Sequence, residues 1–432
     1  MYREISKLIM YGDMDKDCIL YQFGEIFRHY ENKTKDQAQL IQDIYTQVKR
    51  LLVVATDYGF DHNLWHNYLA FYLVTNENPF SITCEKVGAN DGSVNHFAKN
   101  DFTVIKNLFD YDFSKIEADL GIDCFSQLSD YHAIQKKELM YNKNVSEKII
   151  ALSAQLEAAE DVDAFFAAVT GFYKDYGVGM FGLNKAFRIK EKDGGDVEFV
   201  AINNMDKVML DDLIGYEIQK KKLVDNTKAF VEGRAANNVL LYGDAGTGKS
   251  STVKAIANEF APDGLRLIEV KKNQLYQIPA LMDELAKNPL KFILFIDDLS
   301  FASNDDNFAA LKAILEGGVG GRSHNVAVYA TSNRRHLVKE TMADRSGDDL
   351  HAMDTRQELM SLSARFGLTV TFQQPDKDRY DRILLELAKQ YNVQMPSDQL
   401  FIKGAAFALR AGGRSPRVAK QFVELLAAGV KV

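Results

Sequence analysis

Apolar side chains in the first 180 residues recur at the spacing of helices rather than of strands. In one stretch they fall every three or four positions, so that one helix face would bury them together: Ile41, Ile44, Tyr45, Val48, Leu52 and Ala55. Further helical stretches run from about Ser146 to Leu156 and from about Val162 to Tyr173. The pattern predicts a mostly α-helical N-terminal domain over residues 1–180.

A short segment with a different pattern follows, over residues 181–205. After the three glycines of Tyr176–Gly182, the apolar runs Phe187–Ile189 and Val197–Ile202 flank the polar stretch Lys190–Asp196. Apolar runs on either side of a polar turn are typical of a β-hairpin. We therefore predict a short β-hairpin connector here.

From Leu210 onward, short apolar runs alternate with helical segments, which is the pattern of βαβ units in a parallel sheet. The strand candidates are Val239–Tyr242, Leu267–Val270, Phe292–Ile296, Val326–Ala330 and Leu368–Phe372. They predict an α/β core with a five-stranded parallel sheet over residues 206–375.

After Pro375 the pattern becomes helical again. One helix face would carry a set of apolar residues: Tyr380, Ile383, Leu384, Leu387 and Tyr391. Two more helical segments lie near Leu400–Leu409 and Ser415–Leu426. We predict a C-terminal helical lid over residues 376–432.

Length and composition indicate a multidomain protein. At 432 residues the chain exceeds what one hydrophobic core usually supports. Its net charge of −8 excludes a surface that is basic overall, although a local basic patch is compatible with that charge. The three cysteines lack CxxC spacing, which is typical of a reducing compartment. No apolar stretch reaches the roughly 18 residues that cross a bilayer, so we expect a cytoplasmic protein without a membrane partner.

Directly after the first core strand, eight residues satisfy the pattern G-x-x-x-x-G-K-[ST]: Gly243, Asp244, Ala245, Gly246, Thr247, Gly248, Lys249 and Ser250. We call this segment the phosphate loop, because glycines allow such a loop to turn its backbone N–H groups around the α- and β-phosphates of ATP. We expect Lys249 to reach the β- and γ-phosphates and the Ser250 hydroxyl to bind Mg²⁺. Ser251, in the same helix turn, is also expected to contact the nucleotide.

Polar residues follow two further core strands. Asp297 and Asp298 come directly after Phe292–Ile296, where Asp297 would hold Mg²⁺ through water and Asp298 would activate the attacking water. The alternative for Asp298 is a cap of the next segment. Asn333 follows Val326–Ala330 and would orient the water or touch the γ-phosphate, with a turn-forming role as its alternative.

Three arginines late in the chain are candidates for contacts with the γ-phosphate. Arg365, at the predicted end of a helix, could reach a neighbouring subunit's nucleotide, although a lone arginine is usually a surface residue. Ser415 and Pro416 fit the N-cap and first position of the last helix, which would place Arg417 in its first turn. Arg414 is a second candidate for the same contact, or an anion clamp.

In their order and spacing, these residues resemble the AAA+ superfamily, over about residues 205–432. The segment Leu210–Tyr216 looks like the AAA+ segment that packs on adenine, so the resemblance implies that Ile214 and Gly215 line the base pocket. It further implies Arg365 as a finger acting in trans and Arg417 as the lid's phosphate sensor. The resemblance predicts ATP binding, ATP hydrolysis with Mg²⁺, and assembly into a homo-oligomeric ring such as a hexamer.

More narrowly, five strings look like the bacterial domain-of-unknown-function 815 family of ATPases: FIDDLSF, LEGG, ATSNRRHL, SARFGLTV and GGRSPR. The chain departs from the general AAA+ pattern at Asp298, where many members carry glutamate. Tyr276–Ile278 also lacks the glycine that protein-threading members carry at this place. We expect Tyr276 to be half-buried packing rather than a substrate contact.

Three functions are compatible with this sequence. The first is an ATP-driven remodelling or regulatory ATPase with an unidentified client. The second is an ATP-gated binding module with little hydrolysis, which Asp298 favours. The third, least favoured because of the acidic net charge, is a loader at nucleic acid that uses a basic face of the lid: Arg410, Arg414, Arg417 and Lys420.

Overall fold

The computed structural model describes residues 1–133, 143–191, 197–203, 205–300, 311–312, 314–315, 324–333 and 364–430. The chain forms two compact units, Met1–Asn184 and Lys185–Val432. None of the helices within the described ranges is both long and apolar enough to cross a membrane.

The described part of the first unit is built from helices. Their bounds are α1 Tyr2–Ile5, α2 Ile19–Glu31, α3 Gln37–Tyr58, α4 Leu64–Thr75, α5 Pro79–Val87, α6 Val94–Phe109, α7 Ser114–Leu120, α8 Cys124–Ser129, α9 Lys143–Glu157, α10 Val162–Tyr176 and α11 Gly179–Leu183. The three predicted helical stretches coincide with α3, α9 and α10.

Helix α3 buries a face that differs from the predicted one. Its buried residues are Leu40, Ile44, Gln47, Leu51 and Ala55. Tyr45, which was expected in the stripe, is 47% exposed, and Ile41, Val48 and Leu52 lie at the flank of the core, only partly buried. Apolar residues on α3 cover a wide arc, so the packing of α3 against α2 and α4 decides which part of that arc is central.

A buried carboxylate ties the start of the chain to α6. Asp101 is fully buried and accepts hydrogen bonds from the backbone N–H groups of Ile9, Met10 and Tyr11 at 2.7–3.0 Å. A charge is tolerated in a core when such donors replace its water shell. The N-terminal segment is thereby fixed to the helical core.

The second unit contains one sheet, and its described strands are ordered β2-β1-β4-β5-β6-β3-β7. Their bounds are β1 Ala186–Glu191, β2 Val197–Ala201, β3 Val239–Gly243, β4 Leu265–Glu269, β5 Lys291–Ile296, β6 Val326–Ser332 and β7 Leu368–Phe372. Strands β3 to β7 pair in parallel and overlap the five predicted strands. The bounds of β7 match the prediction, and those of the other four differ by one or two residues. The predicted α/β fold with a parallel sheet is confirmed.

The prediction of a five-stranded sheet is wrong, because the sheet has seven strands. The hairpin is part of the sheet rather than a separate connector: β1 pairs in parallel with β4, with Ala186 opposite Leu267, and β2 pairs antiparallel with β1. Without β1, strand β4 would present a row of unpaired N–H and C=O groups at its edge. The hairpin removes that edge.

The helices of the second unit are α12 Glu217–Val231, α13 Lys249–Glu259, α14 Ile278–Leu285, α15 Lys377–Gln390, α16 Ser397–Arg410 and α17 Pro416–Ala427, with 3₁₀ turns at Leu210–Asp212 and Lys272–Gln277. Helices α15 to α17 share a small core that includes Tyr380, Leu384 and Phe422. The predicted apolar face of α15 is buried, except that Tyr391 is only partly buried. These three helices lie in the segment that was predicted as a helical lid; we refer to them as the lid, and their role as a lid stays a prediction.

Candidate functional site

The phosphate loop, the aspartate pair and Asn333 meet at one edge of the sheet. Strand β6 lies between β3 and β5, so that Leu241 is opposite Thr331 and Ile296 is opposite Ala330. Parallel strands end at the same edge, and the segments that follow them converge there. Residues far apart in the chain are thereby brought into contact.

Glycine is required at Gly243, where the phosphate loop begins. Gly243 has a φ of 136°, and a Cβ there would lie 2.0 Å from the carbonyl oxygen of Phe372. The loop continues to Gly248, which has a φ of 94° and is the N-cap of α13. No side chain caps this helix, so its first N–H groups suit an anionic ligand.

The ammonium group of Lys249 folds back over the loop. Its Nζ donates to the carbonyl oxygens of Gly243 at 2.9 Å and Asp244 at 2.7 Å, and to Oδ1 of Asn333 at 2.9 Å. Burial lowers the pKa of this ammonium, and three nearby carboxylates oppose the shift. Lys249 is therefore a buried cation whose present partners are neutral oxygens, which a phosphate could replace with a charged one.

The acidic pair is held from both sides. Ser250 Oγ donates to Oδ1 of Asp297 at 2.6 Å. Asp298 adopts a left-handed conformation with a φ of 51°, and its Oδ1 accepts a hydrogen bond from Nδ2 of Asn333 at 2.8 Å. A hydroxyl and a carboxylate are the oxygen ligands that Mg²⁺ prefers, so Ser250 and Asp297 fit the expected metal role.

The lid contacts the phosphate loop directly. The N–H of Arg417 donates to the carbonyl oxygen of Gly246 at 3.1 Å. The predicted start of the last helix is confirmed: Ser415 is the N-cap, its side chain accepts from the N–H of Val418, and Pro416 is the first helical residue. Arg417 therefore lies in the helix turn that contacts the loop, whereas Arg414 precedes the helix.

Two adjoining cavities surround this loop. The smaller, of about 300 Å³, is lined by Ala245 and Lys249 together with Ser250, Asp297, Asp298, Asn333 and Arg417. The larger, of about 610 Å³, lies between core and lid and is lined by Ile214, Gly215 and the apolar residues Ile383 and Leu387. Both are lined by Gly246, Thr247, Gly248, Ser251 and Arg417. Residues of the phosphate loop thus line both the larger cavity and the smaller one that contains the acidic pair.

Four predicted site residues lie outside the lining of these two cavities: Gly243, Asp244, Arg365 and Arg414. Asp244 instead accepts the N–H of Gln374 at its Oδ2, at 2.7 Å. Arg365 is partly exposed in the short helical turn before β7, and Arg414 is exposed. The predicted roles of all the site residues stay predictions.

The family of the chain follows from a comparison with family models. A model described as "Protein of unknown function (DUF815)" matches residues 183–430, which is more than half of the chain. The chain belongs to the DUF815 family. The predicted membership is confirmed, and no curated protein matches the chain.

Solved structures resemble the DUF815 chain only distantly. The RuvB Holliday junction branch migration motor of Thermotoga maritima is 19% identical, with a TM-score of 0.35 over 51% of this chain and 66% of the RuvB chain. The FIGL-1 AAA domain in complex with ADP is 17% identical, with a TM-score of 0.35 over 51% of this chain and 73% of that domain. The DUF815 chain thus spans just under two thirds of the RuvB chain, and at these TM-scores neither likeness bears on its activity.

Some features of the DUF815 chain escaped the sequence analysis. Thr331 contacts both aspartates of the pair. The sequence feature that could have indicated this is its position two residues before Asn333, on the same side of an extended chain. The expectation of half-buried packing at Tyr276 is wrong: it is 56% exposed, and its hydroxyl donates to Oε2 of Glu191 at 3.2 Å. Residues 192–196 of the predicted turn, and residues 301, 316–318, 334–337 and 363 of the family strings, lie outside the described residues.

Proposed function

We propose that this chain is a Mg²⁺-dependent AAA+ ATPase that binds ATP between an α/β core, residues 206–375, and a helical lid, residues 376–432. The observation that supports this best is the smaller cavity, which gathers a cation, a hydroxyl and two carboxylates around one loop: Lys249, Ser250, Asp297 and Asp298. Phosphoryl transfer needs little more from a protein than such positioned charges.

The two cavities suit the two halves of a nucleotide. The apolar lining of the larger cavity, including Ile214 and Ile383, fits a base, and the N-terminus of α13 in the smaller cavity fits phosphates. Lys249 would neutralise phosphate charge, and Ser250 and Asp297 would hold Mg²⁺. The metal would offset the charge that develops on the transferred phosphoryl group.

The remaining residues take positioning and sensing roles in this proposal. Asp298 would orient the attacking water, and Asn333 would hold Asp298 at 2.8 Å. Arg417 would link the γ-phosphate to the lid, with Arg414 as an exposed anion clamp beside it. Arg365 would act in the site of the next subunit of a homo-oligomeric ring; it lines neither of the two cavities around the phosphate loop.

Phosphate release from Mg-ATP by the purified protein tests this function. We expect release from the wild type and at least about a hundredfold loss in Lys249→Ala, since the loop cation acts on the transition state. Lys228→Ala is the matched control, because Lys228 is an exposed lysine on α12 whose ion pair among the described residues is with Glu232 at 4.0 Å. The proposal is wrong if the wild type releases no phosphate, or if Lys249→Ala releases phosphate as fast as the wild type.

Mixed rings test the shared site. Lys249→Ala and Arg365→Ala subunits are each expected to be inactive alone. A mixture would regain activity, because an intact phosphate loop then meets an intact arginine from its neighbour. If mixed rings form without any recovery, the trans role of Arg365 is wrong.

Two features of Asp298, its short side chain and its hydrogen bond to Asn333, favour a second candidate: an ATP-gated binding module with little hydrolysis. Its side chain is one carbon shorter than glutamate, and its Oδ1 already accepts from Asn333. Asp298→Asn separates the two functions. Loss of turnover with ATP binding retained supports the ATPase, whereas slow turnover that does not change supports the binding module.

A further inference from the structure

Thr331 lies between the two aspartates, and the proposed mechanism gives it no role. It is on β6, and its side chain is only 1% exposed. Its Oγ1 is 2.5 Å from Oδ1 of Asp297 and 2.9 Å from the backbone nitrogen of Asp298. One hydroxyl therefore contacts both members of the acidic pair.

The direction of both hydrogen bonds is determined by chemistry. The N–H of Asp298 can only donate, so the Thr331 hydroxyl accepts that bond. Its single proton is then available for the carboxylate of Asp297, which as an ionised group only accepts. Valine has the same shape as threonine but can make neither bond.

On the Asp297 side, Thr331 helps to saturate one carboxylate oxygen. Oδ1 accepts from Thr331 Oγ1 at 2.5 Å, from Ser250 Oγ at 2.6 Å and from the N–H of Asp298 at 3.2 Å. Among the described residues, none donates to Oδ2 of Asp297. With Oδ1 held by three donors, Oδ2 is the oxygen that is left for a metal-bound water.

On the Asp298 side, Thr331 holds the backbone of a residue in an unfavourable conformation. A left-handed conformation at a residue other than glycine, here with a φ of 51°, persists only when neighbouring groups fix it. Thr331 accepts from the backbone of Asp298, and Asn333 donates to its side chain. Thr331 and Asn333 are two positions apart, so an extended chain presents both on the same side.

We propose that Thr331 is a positioning residue that sets both aspartates at once, Asp297 for Mg²⁺ and Asp298 for the attacking water. This inference rests on the proposed ATPase function and deepens it. The Thr331 hydroxyl links the metal side of the site to the water side, so its loss would affect metal dependence and turnover together.

The test compares Thr331→Val, which keeps the shape, with Thr331→Ser, which keeps the hydroxyl. Two quantities are measured: kcat with KM for ATP, and the Mg²⁺ concentration that half-saturates binding of a non-hydrolysable ATP analogue. For the valine variant we expect at least about a tenfold lower kcat with little change in KM, and a several-fold higher half-saturating Mg²⁺ concentration. The serine variant should stay within about threefold of wild type in each quantity.

Two results overturn the inference. One is a folded valine variant with unchanged kcat and unchanged Mg²⁺ dependence. The other is a serine variant as impaired as the valine variant, which would assign the effect to methyl packing. If the valine variant does not fold, Thr331→Ala takes its place, because it also removes the hydroxyl.

The Mg²⁺ measurement separates this inference from the proposed function. A wild type that binds the analogue but releases no phosphate contradicts the ATPase. In that case a higher half-saturating Mg²⁺ concentration in Thr331→Val still supports the positioning role toward Asp297, and an unchanged one overturns it.

Discussion

The N–H of Arg417 donates to the carbonyl oxygen of Gly246 over 3.1 Å, so the first turn of lid helix α17 is hydrogen-bonded to the middle of the phosphate loop. A second link joins the start of the loop to the segment before the lid, where Asp244 accepts the N–H of Gln374. Movement of this loop would therefore reach the lid directly at Arg417 and the segment before the lid at Gln374.

The contact between lid and loop predicts the effect of a methyl group at Gly246. Gly246→Ala places a Cβ 3.0 Å from Oγ of Ser415 and 3.3 Å from Cβ of Arg417. We expect at least about fivefold weaker ATP binding by calorimetry, since the lid must shift to make room.

Gly233→Ala is the matched control for this substitution. Both glycines have a φ of 75°, but a Cβ at Gly233 meets nothing within 4 Å. Each alanine carries a similar backbone strain of about 1–2 kcal/mol, so only the lid contact differs. Equal ATP affinities in the two variants would contradict a coupling between lid and loop.

The bond between Asp244 and Gln374 predicts a local change in hydrogen exchange. Asp244→Ala removes a charged acceptor worth about 1.5–3 kcal/mol, so the amide of Gln374 should exchange at least about tenfold faster. Hydrogen exchange followed by mass spectrometry measures the exchange rate of this amide. Asp263→Ala, at an exposed aspartate after α13, should leave that amide unchanged, and equal exchange in both variants would reject the link.

The buried carboxylate of Asp101 predicts a stability change in the first unit. Asp101→Asn replaces an acceptor of three backbone N–H groups by an amide with a single acceptor oxygen, which should cost about 3 kcal/mol. Trp65 is the single tryptophan of the chain and is buried in this unit, so its fluorescence during urea unfolding reports on the unit alone. Asp57→Asn, at an exposed aspartate of α3, should be neutral; an equal loss in both would contradict the prediction.

The buried thiols predict a pH dependence. Burial raises the pKa of Cys84 and of Cys124 from 9.0 to about 11. Well below pH 9 both thiols are neutral in the folded and in the unfolded chain. Between pH 9 and about 11 the unfolded chain loses protons that the folded chain keeps, so the free energy of unfolding falls as pH rises. Urea unfolding followed by Trp65 fluorescence, at several pH values between 9 and about 11, measures this decrease in the free energy of unfolding.

Thiol labelling checks the same feature at lower pH. At pH 8 an aromatic disulfide reagent should label one cysteine of the folded chain quickly, the partly exposed Cys18. Cys84 and Cys124 should react only on unfolding, since they are buried and remain protonated. Fast labelling that persists in Cys18→Ser would show that a buried thiol is accessible.

Features that depend on neighbours along the chain were predictable. The phosphate loop was found because its glycines, its lysine and its serine must follow one another to surround a phosphate. The N-cap at Ser415 was found for the same reason, since capping acts within one helix turn. Strands β3 to β6 were found because a strand buried on both faces is an apolar run.

Features that depend on neighbours in space were missed. The hairpin was recognised, but its place at the edge of the sheet beside β4 was not, because β1 and β4 are separated by more than seventy residues. The exposure of Tyr276 was missed because an aromatic side chain is usually buried, whereas here its hydroxyl meets Glu191 at the surface.

The sequence by itself determined the family, the alternation of strands and helices, and the set of residues that are predicted to bind a phosphate and a metal. Only the tertiary structure decided which of them meet: Asn333 with Lys249 and Asp298, Thr331 with both aspartates, and Arg417 rather than Arg414 with the loop. The physical reason is that local patterns act over one turn or one strand. A site is assembled by the order of strands in a sheet, which places β6 between β3 and β5.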